Sequence, residues 1–279
     1  MNYMNNKIEL EENGYSVLEN LYSDLEIGQI LDCIQSSEKK GNSFLKTKDL
    51  FAIRQLTNVI PELQDYLFNE KLNRLLSNVF DSPYFLTKAI YFDKPSESNW
   101  FVAYHQDLSI SVDQKVDLED YVNWTFKKGQ FGVQPPNKIL KDSITIRIHL
   151  DTTDRNNGAL KVIPKSHLKG ILRSESINWN EETEFICEVD KGGAMLMKPL
   201  ILHASNRTTN GKQRRVIHLE FCNHELAKPL NWLERINLKP APNNGYNSLW
   251  WIFLRKITTF KLSLGSRGMV LADNSTTKP

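Results

Sequence analysis

The stretch Gln213-Arg-Arg-Val-Ile-His-Leu-Glu-Phe221 alternates in character along its length. Side chains two apart on a strand leave the same face. A strand here therefore puts Arg214, Val216, His218 and Glu220 on one side and Arg215, Ile217, Leu219 and Phe221 on the other. The second set is apolar after its first member and suits a core. The first set is polar and suits the wall of a cavity, where an arginine can grip a carboxylate through a two-pronged, charge-assisted pair. The alternation favours Arg214 over Arg215 for that inward role, against the plainer reading of a surface Arg-Arg pair.

Working outward, the chain from about Tyr84 is made of short β-rich runs separated by turn residues. They are Tyr84–Phe92, Phe101–Val112, Ser143–Leu150, Ala159–Ile163, Phe185–Val189 and Ala194–Lys198, then Arg214–Cys222. Strands at this spacing with few helices between them predict an antiparallel sandwich or barrel rather than a parallel βαβ sheet. Between the second and third runs, Asp113–Lys141 holds Trp124, Phe126, Phe131, Pro135 and Pro136. Such an insertion reads as a lid or binding loop, or equally as a loop packed on the outside.

The N-terminal part reads differently. Gly14–Leu21 suggests a strand. Ser23-Asp-Leu-Glu26 has the form of a capping box, and Leu25, Ile27, Ile30, Leu31 and Ile34 follow at helical spacing, predicting a helix over about Asp24–Ser37. Glu38–Asn42 reads as a loop, and Pro61–Phe80 as one or two helices with Pro61 in a first turn. The fold class expected is thus mainly β with helices. The expected organisation is one domain over residues 1–226 and a C-terminal extension over 227–279. Its Trp250–Leu264 stretch could be a helix packed on the sheet, a dimer contact or a membrane-surface segment.

Composition narrows the function classes. Of 279 residues, 35 are Lys or Arg and 33 are Asp or Glu, a near balance that provides no broad field for nucleic acid or anionic lipid. Cys33, Cys187 and Cys222 form no CxxC pair, which argues against a disulfide framework or a cysteine-rich zinc site and for a reducing, cytoplasmic setting. The opening MNYMNNKIELEENGY lacks the apolar core of a signal peptide, and Leu249–Leu254 is far short of a membrane span. A small-molecule substrate is the expected partner, with nucleic acid and membrane excluded and the oligomeric state undetermined.

Six histidines remain: His105, His149, His167, His203, His218 and His224. In Tyr104-His-Gln-Asp107, His105 and Asp107 fall two apart within a β run, so an imidazole and a carboxylate can converge. With a second imidazole they form a two-histidine, one-carboxylate face that leaves three positions of an octahedral Fe(II) open for a bidentate co-substrate and dioxygen. The spacing alone fits equally a strand histidine bonded to its neighbour. His203, after the apolar Leu200-Ile-Leu and before the polar turn Asn206–Lys212, supplies a third ligand if the fold closes the 98-residue gap.

Three segments in order resemble the phytanoyl-CoA dioxygenase family of Fe(II)/2-oxoglutarate oxygenases. The first is YHQD at Tyr104. The second is RIHLDTTDRNNGALKVIPKSHLKG, over Arg147–Gly170, which is similar to the family's NGxLxVxPGSHxxG signature. The third is GGAMLMKPLILHASNRTTNGKQRRVIHLEF, with Arg214 eleven residues after His203. GYSVLENLYSDLEIGQIL is similar to the family's opening, so the resemblance spans most of residues 10–225.

The resemblance implies a double-stranded β-helix (jelly-roll) core with the N-terminal helices packed on one sheet. It implies Fe(II) held by His105, Asp107 and His203, and 2-oxoglutarate and O2 as co-substrates. Arg214 would meet the far carboxylate, with Ser205 as a hydroxyl partner. The carboxylate at Asp107 implies hydroxylation of an unactivated C–H bond of a small molecule rather than halogenation. The alternatives are desaturation or cyclisation in natural-product biosynthesis, or a non-catalytic metal- or ligand-binding jelly roll.

One departure is visible: Lys165 stands where the family has glycine, in a turn that can require φ > 0. Other residues are read as follows. Arg147 points inward to substrate or co-substrate, with His149 on the opposite face. His167 is structural, Asp151 belongs to a turn with Asn156–Gly158, His218 lines the Arg214 face, and Arg54 is a candidate for capping the cavity.

Overall fold

In the computed structural model, residues 3–37, 43–48, 51–96, 100–173, 175 and 177–238 are described. The expected Glu38–Asn42 loop and the Trp250–Leu264 stretch lie outside them. Helix α1 (Met4–Asn13) opens the chain and was not legible beforehand, because along it only Leu10 is buried. It ends at Gly14, whose φ of +85° is left-handed and whose N–H bonds to Leu10 O. A Cβ there would also lie 2.4 Å from the His167 ring, so both backbone and space demand glycine.

Strand β1 (Tyr15–Leu18) leads to α2 (Asp24–Ser36) through the predicted capping box. Glu26 N–H donates to Ser23 Oγ and Ser23 N–H donates to Glu26 Oε2. The short strands β2 (Phe44–Lys46) and β3 (Phe51–Arg54) pair antiparallel. The Pro61–Phe80 region folds as a 3-10 turn (Pro61–Leu63) and two further helices. With α3 (Leu56–Val59) ahead of them, these are α4 (Gln64–Leu67) and α5 (Glu70–Val79). Asn69 caps α5 by accepting from Leu72 N–H at 2.8 Å.

Next come β4 (Phe85–Lys94), β5 (Val102–His105), β6 (Ile110–Val112), β7 (Val122–Lys127) and β8 (Gln130–Gln134). Helix α6 (Asn137–Asp142), β9 (Ile144–His149), β10 (Leu160–Ile163) and β11 (Phe185–Cys187) follow. The last strands are β12 (Ala194–Met197), β13 (Leu202–Ser205), β14 (Arg214–Cys222) and β15 (Ile236–Asn237).

They assemble into three antiparallel sheets. The large one runs β1-β12-β9-β14-β4-β3-β2, with β15 added on β4. The small one runs β11-β10-β13-β5, and a third runs β6-β8-β7. This is the jelly-roll arrangement, mainly β with helices. Ile217, Leu219 and Phe221 of β14 share one apolar core with Leu10, Ile27, Ile30, Leu63, Leu72 and Leu75 of the N-terminal region. The opposite face of β14, carrying Arg214, His218 and Glu220, lines a cavity.

Two expected runs differ in detail. Phe101–Val112 is two strands, because the chain leaves β5 after His105 and re-forms as β6. Asp113–Lys141 is not a plain loop: it holds the β7–β8 hairpin and α6. The hairpin's base is anchored in a second apolar core of Val112, Tyr121, Val133 and Ile139 with Phe85, Leu226, Leu230 and Trp232. Residues 227–238 thus pack on this body, and Glu234 is buried against β4. Among the described residues no helix is long and apolar enough to cross a membrane.

Candidate metal centre and co-substrate pocket

The fold closes the gap between the histidines by strand pairing. β13 lies antiparallel to β5 with His203 directly opposite His105, and their ring centroids are 4.2 Å apart. Asp107 lies beyond the end of β5, so the expectation that it shares a strand face with His105 is corrected. Its position is set by its own N–H, which donates to Pro199 O at 2.9 Å, and by the residue before it. The buried Gln106 side chain donates from Nε2 to Gly170 O (2.8 Å) and Leu200 O (2.6 Å) and accepts from Leu172 N–H (2.8 Å). Gln106 therefore clamps the turn between the two ligand candidates, a role that its place as the middle residue of HQD does not signal.

The donor atoms of His105, Asp107 and His203 all lie within 4.8 Å of one another. His105 Nε2 is 3.7 Å from Asp107 Oδ1, and His203 Nε2 is 3.7 Å from Asp107 Oδ2. These separations are too long for hydrogen bonds and short enough to share an ion. Both tautomers are fixed locally. His105 Nδ1 is 2.9 Å from Ala103 O, and His203 Nδ1 is 3.0 Å from Ile201 O. A carbonyl oxygen only accepts, so each Nδ1 carries the hydrogen and each Nε2 turns a bare lone pair toward Asp107.

Desolvation alone would raise the Asp107 acid. The surrounding imidazoles of His203, His218 and His105 and the Lys88 ammonium outweigh it and hold the carboxyl at about 2. Burial pushes His203 down to about 4 despite Asp107, so at neutral pH it is the uncharged form that ligates. Asp107 Oδ2 is buried with no hydrogen-bond partner.

Arg214 and Arg147 line the same cavity, as does Ser205. Arg214 is 4% exposed and Arg147 8% exposed. Arg214 donates to Gly158 O. Burial, aided by its neighbour Arg147, lowers it to about 9. Burial likewise lowers Arg147 to about 10. Neither pairs with a carboxylate among the described residues, and the Nε of each is buried without an acceptor. Two buried guanidiniums without an anion are costly, and the cost is relieved by a bound acid. The strand phase on β14 is as read: Arg215 faces away and binds Asp151 with two hydrogen bonds, at 2.8 and 2.6 Å. Asp151 is thereby more than a turn residue.

Along the large sheet runs a chain of side chains. Lys88 Nζ donates to both oxygens of Glu220 at 2.8 Å, His218 Nε2 lies 3.0 Å from Glu220 Oε1, and Arg147 Nη1 lies 3.1 Å from His218 Nδ1. Arginine only donates, so Nδ1 of His218 accepts and its Nε2–H goes to Glu220.

His149 does not oppose Arg147. Two residues apart on β9, they share a face, and the cross-strand partners Val216 and His218 show it. His149 Nδ1 is 2.7 Å from Thr153 Oγ1, its Nε2 is buried without a partner, and burial beside Arg147 and Arg214 holds it well below the usual histidine range. His167 lies away from this group and donates from Nε2 to Glu11 O. Lys165 adopts φ +66°, the left-handed turn that glycine would favour. Arg54 lines the cavity.

The cavity measures about 480 Å³. Its walls come from all three sheets, with Thr125, Lys127, Gln130, Phe131 and Gly132 supplied by the β7–β8 hairpin. The expected lid region is thus a wall built on a packed hairpin.

Comparison with known proteins bears on the fold and the family. EctD from S. alaskensis, with bound Fe, is 15% identical over 80% of this chain and 78% of its own, at a TM-score of 0.62. HygX from Streptomyces hygroscopicus, with nickel and 2-oxoglutarate bound, is 14% identical over 78% of this chain and 86% of its own, at 0.56. EvdMO1 is 17% identical over 78% of this chain, at 0.59, and the chain spans about half (49%) of its length. At these identities the likeness is one of fold. No curated protein matches the sequence. The family model for phytanoyl-CoA dioxygenase (PhyH) matches residues 10–216, and the chain belongs to that family.

Proposed function

We propose that this protein is a non-haem Fe(II)/2-oxoglutarate-dependent dioxygenase that hydroxylates an unactivated C–H bond of a small molecule. The observation that carries the reading is the convergence of His105 Nε2, His203 Nε2 and an Asp107 oxygen on one point, with both histidine tautomers already fixed for ligation. His105, Asp107 and His203 would hold the iron. Arg214 would receive the far carboxylate of 2-oxoglutarate, with Ser205 and Arg147 beside it on the same wall. The unsatisfied Nε–H groups of both arginines and the orphaned Asp107 oxygen fit a dianionic chelator and a cation.

When bound, iron with 2-oxoglutarate and dioxygen supplies the oxidising power to break a C–H bond. This chain's residues bind, orient and shield. Asp107 stays ionised and His203 neutral at physiological pH, so neither must titrate before the metal binds. Gln106 keeps the Asp107 turn in place. Ile90, Phe92 and Leu160 give the cavity apolar surface that keeps water from the reacting carbon.

Structures of this fold also include a carbocyclase and an epimerase, SnoK and SnoN. The intact Asp107 carboxylate disfavours halogenation, and hydroxylation, the simplest outcome of oxidising a C–H bond, is the reading tested against cyclisation and epimerisation. The test is anaerobic loading with Fe(II), addition of 2-oxoglutarate and oxygen, and measurement of succinate and of oxygen incorporated into added small molecules. Succinate formed in step with a hydroxylated product supports the reading. Bound iron with no succinate under any condition refutes it.

A further inference from the structure

Beyond the metal and co-substrate, the cavity carries a charge surplus that neither explains. Its charged lining residues are Arg54, Lys88, Lys127, Arg147 and Arg214 against Asp107 and Glu220, five cations to two carboxylates. Three of the cations already have work. Lys88 is held by both oxygens of Glu220, while Arg147 and Arg214 sit buried beside the candidate co-substrate position. A ferrous ion and 2-oxoglutarate cancel each other's charge, so the loaded cavity keeps the same excess of three positive charges. The side chains of Arg54 and Lys127 have no ion-pair or hydrogen-bond partner among the described residues.

These two cations come from different parts of the fold. Arg54 ends β3 on the large sheet, and Lys127 ends β7 at the tip of the hairpin. The fold brings them to one cavity across 73 residues of chain. The space they share is also apolar, with Ile90, Phe92 and Phe131 among its walls. A free inorganic ion would use the cations and leave those walls wet. A neutral hydrocarbon would fill the walls and leave the half-buried Arg54 without a counter-charge, with the exposed Lys127 idle beside it.

From this we infer that Arg54 and Lys127 form an anion-recognition subsite, and that the substrate is a small amphipathic acid. Its carboxylate or phosphate would be received by these two side chains, with an apolar body lying along Ile90, Phe92 and Phe131. The inference rests on the oxygenase reading for its placement of metal and co-substrate. Its substance is the specificity of the outer cavity: an anionic oxygen group is selected over its uncharged counterpart.

The test uses the full-length protein loaded with nickel(II) and 2-oxoglutarate, so that no turnover occurs. Hydrocinnamate is titrated calorimetrically against hydrocinnamamide, its uncharged isostere, with phenyl phosphate as a second anionic probe. The acids are expected to bind about tenfold tighter than the amide, a preference that shrinks as salt is added. In the double variant Arg54→Gln/Lys127→Gln the preference should fall to about threefold or less, with amide affinity unchanged. Lys128→Gln, at the same hairpin tip but outside the lining, should keep the wild-type preference.

Equal affinity for acid and amide in the wild type, including no binding of either, overturns the subsite. So does a preference that survives in the double variant. Titration of 2-oxoglutarate itself into each metal-loaded protein separates this from the oxygenase reading. If the double variant binds 2-oxoglutarate normally, its fold and its inner site are intact. If wild type binds none, the oxygenase reading fails, and the subsite is judged on the protein alone. A preference lost with Arg54 and Lys127 then upholds the subsite, and one indifferent to them overturns it.

Discussion

The two walls of the cavity are organised by different rules. On the small-sheet side, His105 and His203 are cross-strand neighbours whose rings are fixed by carbonyls two residues back along the chain, Ala103 O and Ile201 O. On the large-sheet side, Lys88, Glu220, His218 and Arg147 hold one another through side chains from β4, β14 and β9. The first wall is preorganised by local backbone and offers lone pairs. The second is preorganised by long-range polar contacts and offers N–H donors. A cation would bind between donors of the first kind, and an anion against the second, so removing a group from one wall should damage one ligand and spare the other.

The largest expected effect is on the first wall. Asp107→Ala should weaken Fe(II) binding by about a hundredfold or more and abolish succinate formation, as measured by equilibrium dialysis and product assay. Iron bound normally by that variant would break the comparison at its root. On the second wall, Arg214→Ala should raise the 2-oxoglutarate concentration for half-saturation by about ten- to a hundredfold while Fe(II) affinity holds. Arg215→Ala should leave that concentration unchanged and lose stability instead, because Arg215 serves Asp151. The reverse pattern would put the phase of β14 off by one.

Gln106→Ala sharpens the same contrast. It touches neither ligand yet anchors the turn carrying Asp107, so metal affinity should drop about tenfold with the 2-oxoglutarate requirement at saturating iron little changed. The large wall has a pH signature of its own. Glu234, 3% exposed behind β4, accepts from Ala89 N–H and the Thr57 hydroxyl, yet burial raises its acid to about 7. A folded-state value above the unfolded one favours the protonated fold. Its stabilisation is fully present below the ordinary carboxyl range and is lost as pH rises through 7. Unfolding free energy should fall by about 2 kcal/mol between pH 5 and 8. Glu234→Gln should flatten that slope in denaturant titrations. Smallest of all, Lys165→Gly should relieve the left-handed strain at φ +66° and raise stability by about 0.5–1 kcal/mol, seen as a small rise in Tm.

The contrast between the walls also explains what could be read beforehand. His105, Asp107 and His203 were legible because ligand chemistry restricts residue type and the spacing is short or motif-bound. Arg214 was legible because β14 is regular and its two faces differ in polarity. The Asp107 placement was misread, since nothing in YHQD marks where β5 stops or that Gln106 reaches out to Gly170 and Leu200. Arg147 and His149 were set on opposite faces although residues two apart on β9 share one. Helix α1 and the β2–β3 hairpin escaped because few of their side chains are buried, so hydrophobic period carries little signal. The meeting of Arg54 with Lys127 depends on the packing of a hairpin across the cavity, which no local pattern encodes.

The central claim, that the two walls meet around one iron, is tested most directly by anomalous diffraction at the iron edge from crystals grown anaerobically with Fe(II) and 2-oxoglutarate. The account predicts a single peak bonded to Nε2 of His105, Nε2 of His203 and a carboxylate oxygen of Asp107, with the far carboxylate of 2-oxoglutarate on Arg214. Iron bound elsewhere, or a site with Arg214 turned from the acid, would contradict it.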